Sequence, residues 1–129
     1  MTKLSNLMNI LHVDDSPEIC QLYADMLSID NHKVESINDG REGLELALQK
    51  DYDLILLDVC MPKYSGMEFI YDLKAKRPSE IKKVIVVSVL ELNQSQQKEL
   101  LKLGIHSIEE KPSTIQKLEI IKKDLLLKK

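Results

Sequence analysis

The length and charge of the chain limit what it can do. Its 129 residues carry 18 basic and 21 acidic side chains, interspersed to a net charge of -3, so no basic surface for nucleic acid is expected. We predict one domain over residues 1–129, since the length leaves no room for a second. The two cysteines are far apart and no apolar stretch is long enough to span a membrane, which predicts a reduced, cytoplasmic protein without membrane contact.

Three short apolar runs predict buried strands. They occupy residues 10–13 (ILHV), 54–57 (LILL) and 84–87 (VIVV), and none alternates polar with apolar residues. Such runs are typical of strands covered on both faces. Two further segments, residues 33–37 and 106–110, alternate or are mostly polar, as strands at a sheet edge can be. We therefore expect three inner and two outer strands.

The first predicted helix follows the first strand. Ser16 suits the N-cap position, and Pro17 suits the first helical position. Apolar residues then recur at helical spacing and predict one buried face. These residues are Ile19, Leu22, Tyr23, Met26 and Leu27. We interpret Tyr23 and Met26 as core residues rather than as contacts to a cofactor.

Four further helices are predicted, three from their end signals and the last from its apolar spacing. Asp39 and Ser65 each precede a glutamate at the spacing of a capping box, so the second and third helices begin there. The fourth helix begins near Asn93 and closes at Gly104, which suits a left-handed cap. A fifth helix carries apolar residues at helical spacing over residues 115–125.

The alternation of strands and helices predicts the fold class. Parallel strands need helical crossovers, so five strand–helix pairs predict an α/β fold with a doubly wound, five-stranded parallel sheet. Placing the two polar strands at the edges selects the strand order 2-1-3-4-5. In such a sheet, ligands bind beyond the carboxyl ends of the strands where the order reverses, which here is between the first and third strands.

Three acids follow the two strands at this reversal. Asp14 and Asp15 end the first strand, and Asp58 ends the third. Taken alone, Asp14 or Asp15 would also suit a helix cap. Together the three would repel one another by about 3 to 4 kcal/mol per close pair at an effective dielectric near 20, so the cluster calls for a divalent cation. Oxygen ligands favour Mg²⁺.

Two more polar residues are predicted at the same edge of the sheet. Ser88 ends the fourth strand, and Lys111 follows the fifth. Singly, Ser88 is a weak signal and Lys111 is by default a surface lysine. A hydroxyl and an ammonium facing a cluster of carboxylates and a metal are the groups expected around a phosphoryl group, with a carboxylate as its nucleophile.

At this point the sequence resembles the receiver domains of response regulators in two-component signalling, over nearly its whole length. The resemblance lies in ILHVDDSP (residues 10–17), LILLDVCMPKYSG (residues 54–66), VIVVS (residues 84–88) and EEKP (residues 109–112). It implies a flavodoxin-like (βα)5 fold. It also implies a stand-alone receiver, a binding module controlled by phosphorylation rather than a turnover enzyme.

The resemblance also implies roles for individual residues. Asp58 would accept a phosphoryl group from a histidine kinase or a phosphotransfer protein, and Ser88 and Lys111 would bind the phosphoryl oxygens. The groups implied to hold Mg²⁺ are Asp14, largely through a metal-bound water, Asp15, Asp58 and the main-chain carbonyl of Cys60. The face formed by the fourth helix, the fifth strand and the fifth helix would dock a downstream protein that the sequence does not name, and is a candidate homodimer surface.

The sequence departs from the family pattern at three positions, one of which is Glu109, at a usually apolar position of the fifth strand. Ile108 stands where the family carries a switch aromatic, so coupling through rotation of an aromatic ring cannot be carried over. Val89 stands where a small residue commonly follows the hydroxyl residue Ser88, and it would crowd access to Asp58. An alternative is therefore a degenerate receiver that docks partners without being phosphorylated.

Two further positions bear on how long a phosphoryl group would last. By resemblance, Cys60 and Leu90 flank the approach of the water that hydrolyses an acyl phosphate. Neither side chain orients a water well, so slow self-dephosphorylation is expected.

A rival from another class is a small electron carrier or nucleotide-binding protein on the same fold. It fits poorly, because the loop after the first strand reads DDSPE and the four glycines do not form a GxGxxG motif. His12 lies within the first strand, and we interpret it as a packed core residue rather than a phosphohistidine.

Overall fold

The computed structural model describes residues 8–28, 32–58, 64–88 and 92–110, and within them all side chains except those of residues 26, 27, 88 and 110. The elements in chain order are β1 (Asn9–Val13), α1 (Pro17–Ser28), β2 (Lys33–Ile37), α2 (Gly40–Gln49), β3 (Leu54–Asp58), α3 (Gly66–Lys76), a 3₁₀ helix (Pro78–Lys83), β4 (Val84–Ser88), α4 (Gln94–Leu103) and β5 (Ser107–Glu110). The 3₁₀ helix was not predicted. The predicted fifth helix lies outside the described residues. Within these ranges no helix has the length and apolar character needed to cross a membrane.

The strands form one parallel sheet in the predicted order, β2-β1-β3-β4-β5. Alternate residues of a strand face opposite sides of a sheet, so helices on both faces cover every residue of an inner strand. Each residue of β3 is buried, whereas four of the five residues of β2 are only partly buried. The predicted contrast between inner and edge strands is confirmed here, and its cause is the helical cover on both faces.

The core lies in two layers, one on each face of the sheet. On one face, Leu11, Leu57 and Val86 pack with apolar side chains of α2, α3 and α4, including Phe69 of α3, which is fully buried. On the other face, neighbouring residues of the same strands pack with Tyr23 of α1. The continuous apolar runs of the sequence therefore supply both layers from each inner strand.

A glycine sets how closely α2 approaches β1. A Cβ atom added to Gly43 would lie 2.7 Å from Cγ2 of Val13, well inside van der Waals contact. The absence of a side chain at Gly43 thus lets the backbone of α2 lie directly against the last residue of β1. That strand end leads straight to Asp14 and Asp15.

The predicted N-caps at Asp39 and Ser65, the predicted start of α4 near Asn93 and the predicted C-cap at Gly104 are confirmed. Asp39 accepts hydrogen bonds from two main-chain N–H groups at the start of α2, and Ser65 accepts one at the start of α3. Asn93 and Gln96 form a complete capping box at the start of α4. Gly104 closes α4 with φ of 104°, a left-handed conformation that glycine adopts without strain.

One prediction about α1 is wrong. Leu22 was expected on the buried face, but its side chain is 42% exposed, whereas Tyr23 is 1% exposed. Each residue turns a helix by about 100°, so Leu22 lies about 130° from the centre of a face formed by Cys20 and Tyr23, on the side turned to solvent. The apolar spacing of the sequence was compatible with either placement, and packing against β1 and β2 selected one.

Candidate functional site

Three acids meet at the carboxyl end of the two central strands. Asp14 and Asp15 follow β1 directly, and Asp58 is the last residue of β3. The register pairs Val13 with Leu57, so the residues that follow each of these lie side by side. One carboxylate oxygen from each acid lies within 4.8 Å of the others. The structure thus brings together the three acids that the sequence placed at this edge.

Asp14 is the most firmly held of the three acids. It is 1% exposed, and its Oδ1 accepts a hydrogen bond of 2.9 Å from the main-chain N–H of Ser16. Its own N–H donates to the carbonyl of Ile37, and the thiol of Cys20 donates to its carbonyl. Asp14 therefore does contribute to the turn that starts α1, as the helix-cap alternative proposed. That contact engages one carboxylate oxygen.

The donor chemistry of the cluster suits a hard divalent cation. Asp58 is 7% exposed and Asp15 is exposed, so the cluster is buried on one side and open on the other. At these separations, two ionised carboxylates repel by about 3 kcal/mol at an effective dielectric near 20. Because all three ligands are carboxylate oxygens, the residues present fit Mg²⁺ better than a metal that prefers nitrogen or sulfur.

The structure describes only part of the remaining predicted site residues. Ser88 ends β4, and the pairing of Asp58 with Val87 puts the backbone of Ser88 one strand away, at the same edge of the sheet. The side chain of Ser88 is outside the described set. The predicted site residues that lie wholly outside the described residues are Cys60, Val89, Leu90 and Lys111.

Ile108 occupies the middle of β5, where it pairs with Val86. Its side chain is partly buried and packs against the core cluster that contains Leu11 and Phe69. An aliphatic core contact therefore stands at the position where the family resemblance implied an aromatic switch.

One contact at the site was not predicted. His12 is 1% exposed, as its interpretation as a core residue requires, but its Nε2 lies 4.0 Å from Oδ2 of Asp14. Its ring stacks on that of Tyr23, with the ring centroids 4.4 Å apart. The signal that would have revealed this contact is the spacing: His12 stands two residues before Asp14, and residues two apart face the same side of a strand.

Comparison with known proteins identifies the family of this chain. The family model for the response regulator receiver domain matches residues 10–122. The response regulator ArlR of Staphylococcus epidermidis is 35% identical over 75 residues, which cover 58% of this chain and 34% of ArlR. The chain thus spans about a third of the length of curated relatives such as this one.

Solved structures share the whole fold. A response regulator receiver domain protein from Clostridium thermocellum superposes with a TM-score of 0.82 at 27% identity, covering 95% of this chain and 96% of its own. The chemotaxis protein CheY4 of Vibrio cholerae superposes with a TM-score of 0.81 at 26% identity, covering 92% of this chain and 98% of its own. With a family match that extends over most of the sequence and an acidic cluster at the strand-order reversal, this chain belongs to the family of response regulator receiver domains.

Proposed function

We propose that this chain is a receiver in which Asp58 accepts a phosphoryl group from a histidine kinase or a phosphotransfer protein, in a step that depends on Mg²⁺. Receiver domains are signalling modules of two-component systems rather than turnover enzymes. The observation that carries the proposal is the meeting of Asp14, Asp15 and Asp58 at the strand-order reversal. The phosphoryl group would change how this chain binds a downstream protein.

Asp58 is the proposed nucleophile because of its place in the fold. It ends the central strand β3, whereas Oδ1 of Asp14 is engaged at the start of α1 by the N–H of Ser16. A carboxylate oxygen of Asp58 would attack phosphorus, the bond from phosphorus to the donor's histidine nitrogen would break, and the electron pair would leave with that imidazole. The product is an acyl phosphate on Asp58.

The other residues of the site would orient the reacting groups. We propose that Asp14, Asp15, Asp58 and the main-chain carbonyl of Cys60 hold Mg²⁺, which when bound neutralises the carboxylates and the phosphoryl oxygens. The position of Ser88 at the carboxyl end of β4 supports a role for its hydroxyl in binding a phosphoryl oxygen. By family resemblance, the ammonium of Lys111 would bind another, and both residues would hold the phosphoryl group in line with Asp58.

Output requires a route that does not use an aromatic ring at position 108. We propose that phosphorylation acts on the face made by α4, β5 and the predicted fifth helix, where a downstream protein or a second copy of this chain would dock. Ile108 packs against the core from β5, so a shift of the β5 backbone would reach that face without rotation of a large side chain.

Intact-mass measurement after incubation with acetyl phosphate and Mg²⁺ tests the proposal. The wild type should gain one phosphoryl group, and this gain should be lost with a chelator or in Asp58→Asn. Asp53→Asn is the matched control, since Asp53 binds the N–H of Asn9 at the opposite end of the sheet and should leave labelling intact. A full mass gain in Asp58→Asn would place the nucleophile elsewhere. A folded wild type that binds Mg²⁺ but never gains mass would favour docking without phosphorylation.

The lifetime of the phosphorylated state provides a separate prediction. By family resemblance, Cys60 and Leu90 flank the approach of water, and neither side chain type orients a water well. Replacing them together by Asn and Glu should shorten the lifetime by roughly tenfold, if a water-positioning contact contributes about 1.4 kcal/mol. The decay is followed by intact mass after the phosphodonor is removed. An unchanged or longer lifetime in the double variant would show that these two side chains do not control access of water.

A further inference from the structure

His12 is a polar side chain buried in the central layer of the protein. It is 1% exposed and sits between Leu11 and Val13 in β1, where an apolar residue would avoid the cost of burying polar atoms. Its ring stacks on Tyr23 with an interplanar angle of 13°, and its Nδ1 lies 3.3 Å from Oγ of Ser36. The ring plane is therefore fixed from two sides, which directs Nε2 at one place.

That place is the carboxylate of Asp14. Nε2 lies 4.0 Å from Oδ2 of Asp14, while the other oxygen, Oδ1, accepts the N–H of Ser16 at 2.9 Å. Each oxygen of Asp14 thus faces a polar group on a different element: the start of α1 on one side and β1 on the other. Two such contacts restrict rotation about the bond that carries the carboxylate.

The contacts around His12 return to Asp14. Oγ of Ser36, on β2, lies 3.3 Å from the carbonyl oxygen of Cys20 on α1 and 3.3 Å from Nδ1 of His12. When the hydroxyl donates its single hydrogen to Nδ1, a neutral imidazole carries its own hydrogen on Nε2, which faces Asp14. The thiol of Cys20 in turn donates to the carbonyl of Asp14 at 3.3 Å. The closed set of contacts runs from Asp14 to His12, Ser36, Cys20 and back to Asp14, and it joins β1, β2 and α1 directly behind the acidic cluster.

We propose that His12 is a positioning residue that orients the carboxylate of Asp14 for a bound divalent cation. The inference rests on the proposed function, in which Asp14 helps to hold Mg²⁺. Groups that contact a metal ligand without touching the metal fix its orientation and raise the affinity of the site. At 4.0 Å the contact is electrostatic rather than a direct hydrogen bond. Its loss should therefore weaken metal binding by less than the roughly 10- to 100-fold that is typical when such a partner is removed.

Two substitutions separate positioning from packing. His12→Leu fills a similar volume with an apolar side chain and removes the polar contact to Asp14. We expect this variant to bind Mg²⁺ about fivefold more weakly. His12→Gln restores an N–H group near the position of Nε2 and should bind Mg²⁺ within about twofold of wild type. His32→Gln is the control: His32 is 7% exposed and accepts the N–H of Met8 at the other end of the sheet, and its loss should leave Mg²⁺ binding unchanged.

Calorimetric titration with Mg²⁺ measures these affinities, and urea melts without Mg²⁺ measure the stability of each variant. A wild type labelled with ¹⁵N-histidine adds a test that needs no substitution. The ring nitrogen signals of His12 should shift with Mg²⁺ along the calorimetric binding curve, and those of His32 should not.

Several results would overturn the inference. They are a His12→Leu variant that binds Mg²⁺ as tightly as wild type, equal weakening in the Leu and Gln variants, and His12 ring signals that do not respond to Mg²⁺. The first and third, in a wild type that binds Mg²⁺, would leave the proposed function intact. A wild type that does not bind Mg²⁺ at all would overturn the metal site and this inference together.

Discussion

The two ends of the sheet differ in how their charged side chains are arranged: like charges cluster at one end, and opposite charges pair at the other. At the carboxyl end, three acids lie within 4.8 Å of one another. Toward the amino end, charges are paired: the ammonium of Lys50 lies 3.1 Å from Glu35, whose carboxylate also accepts the hydroxyl of Tyr52 at 2.9 Å. Arg77 pairs with Asp51 nearby. The contrast indicates that one end contributes to folding stability, while the other gives up stability at the site proposed for a cation and a phosphoryl group.

The largest expected effect comes from relieving repulsion at the carboxyl end. Asp58→Asn removes one charge from the cluster and should stabilise the metal-free protein by about 1 to 3 kcal/mol after solvent screening, although it should abolish the proposed phosphorylation. Urea melts in the presence of a chelator measure the difference. Millimolar Mg²⁺ should raise the melting temperature of the wild type more than that of the variant, because the cation binds the intact cluster in the folded state. A less stable variant without Mg²⁺ would show that the three charges do not oppose folding.

The opposite sign is expected for Arg77 at the amino end. Its Nη1 donates to the carbonyl of Ala47 at 3.0 Å and to that of Lys50 at 2.7 Å, where α2 ends, and its Nη2 pairs with Asp51. Arg77→Met leaves those carbonyls without this donor and should lower the stability measured in urea melts. Lys76→Met is the control, because the neighbouring Lys76 is exposed at the end of α3. Equal effects of the two changes would mean that Arg77 acts only through its net charge.

A smaller loss is expected for Tyr52. The residue is 4% exposed, and both burial and its hydrogen bond to Glu35 raise the pKa of its hydroxyl, so it remains a neutral donor. Tyr52→Phe removes only that donor and should cost about 1 kcal/mol. Tyr71→Phe is matched in chemistry, but Tyr71 is 45% exposed and donates to Glu99 at the surface, so its loss should be smaller. A larger loss for Tyr71 would contradict the role of burial.

The smallest effect is the dependence of stability on pH through Glu35. Burial acts to raise the pKa of Glu35, but the hydroxyl of Tyr52 and the ammonium of Lys50 outweigh it, so the pKa is lowered. A lowered pKa in the folded state gives stability that is present at neutral pH and lost as the pH falls through that pKa. The stability gap between wild type and Glu35→Gln should be below about 1 kcal/mol at pH 7, since the pair is partly exposed, and should shrink toward pH 3. A gap that widens in acid would reverse the sign of the argument.

Local signals in the sequence predicted much of the fold. The caps at Asp39, Ser65, Asn93 and Gly104 are legible because a cap depends on residues within one turn of the helix end. The 3₁₀ helix at Pro78–Lys83 was missed, because so short an element shows no apolar periodicity. Leu22 was misplaced, because helical spacing sets the angle between side chains but not which of two adjacent faces meets the sheet.

The sequence by itself determined the order of the strands and the meeting of Asp14, Asp15 and Asp58, because parallel strands must place their carboxyl ends at one edge. Only the tertiary structure decided that His12 faces Asp14 while stacking on Tyr23, and that Glu35 meets Tyr52. The physical reason lies in the range of the interactions. The parallel arrangement of the strands places their carboxyl ends together, whereas the direction of a buried side chain depends on neighbours from other elements of the fold.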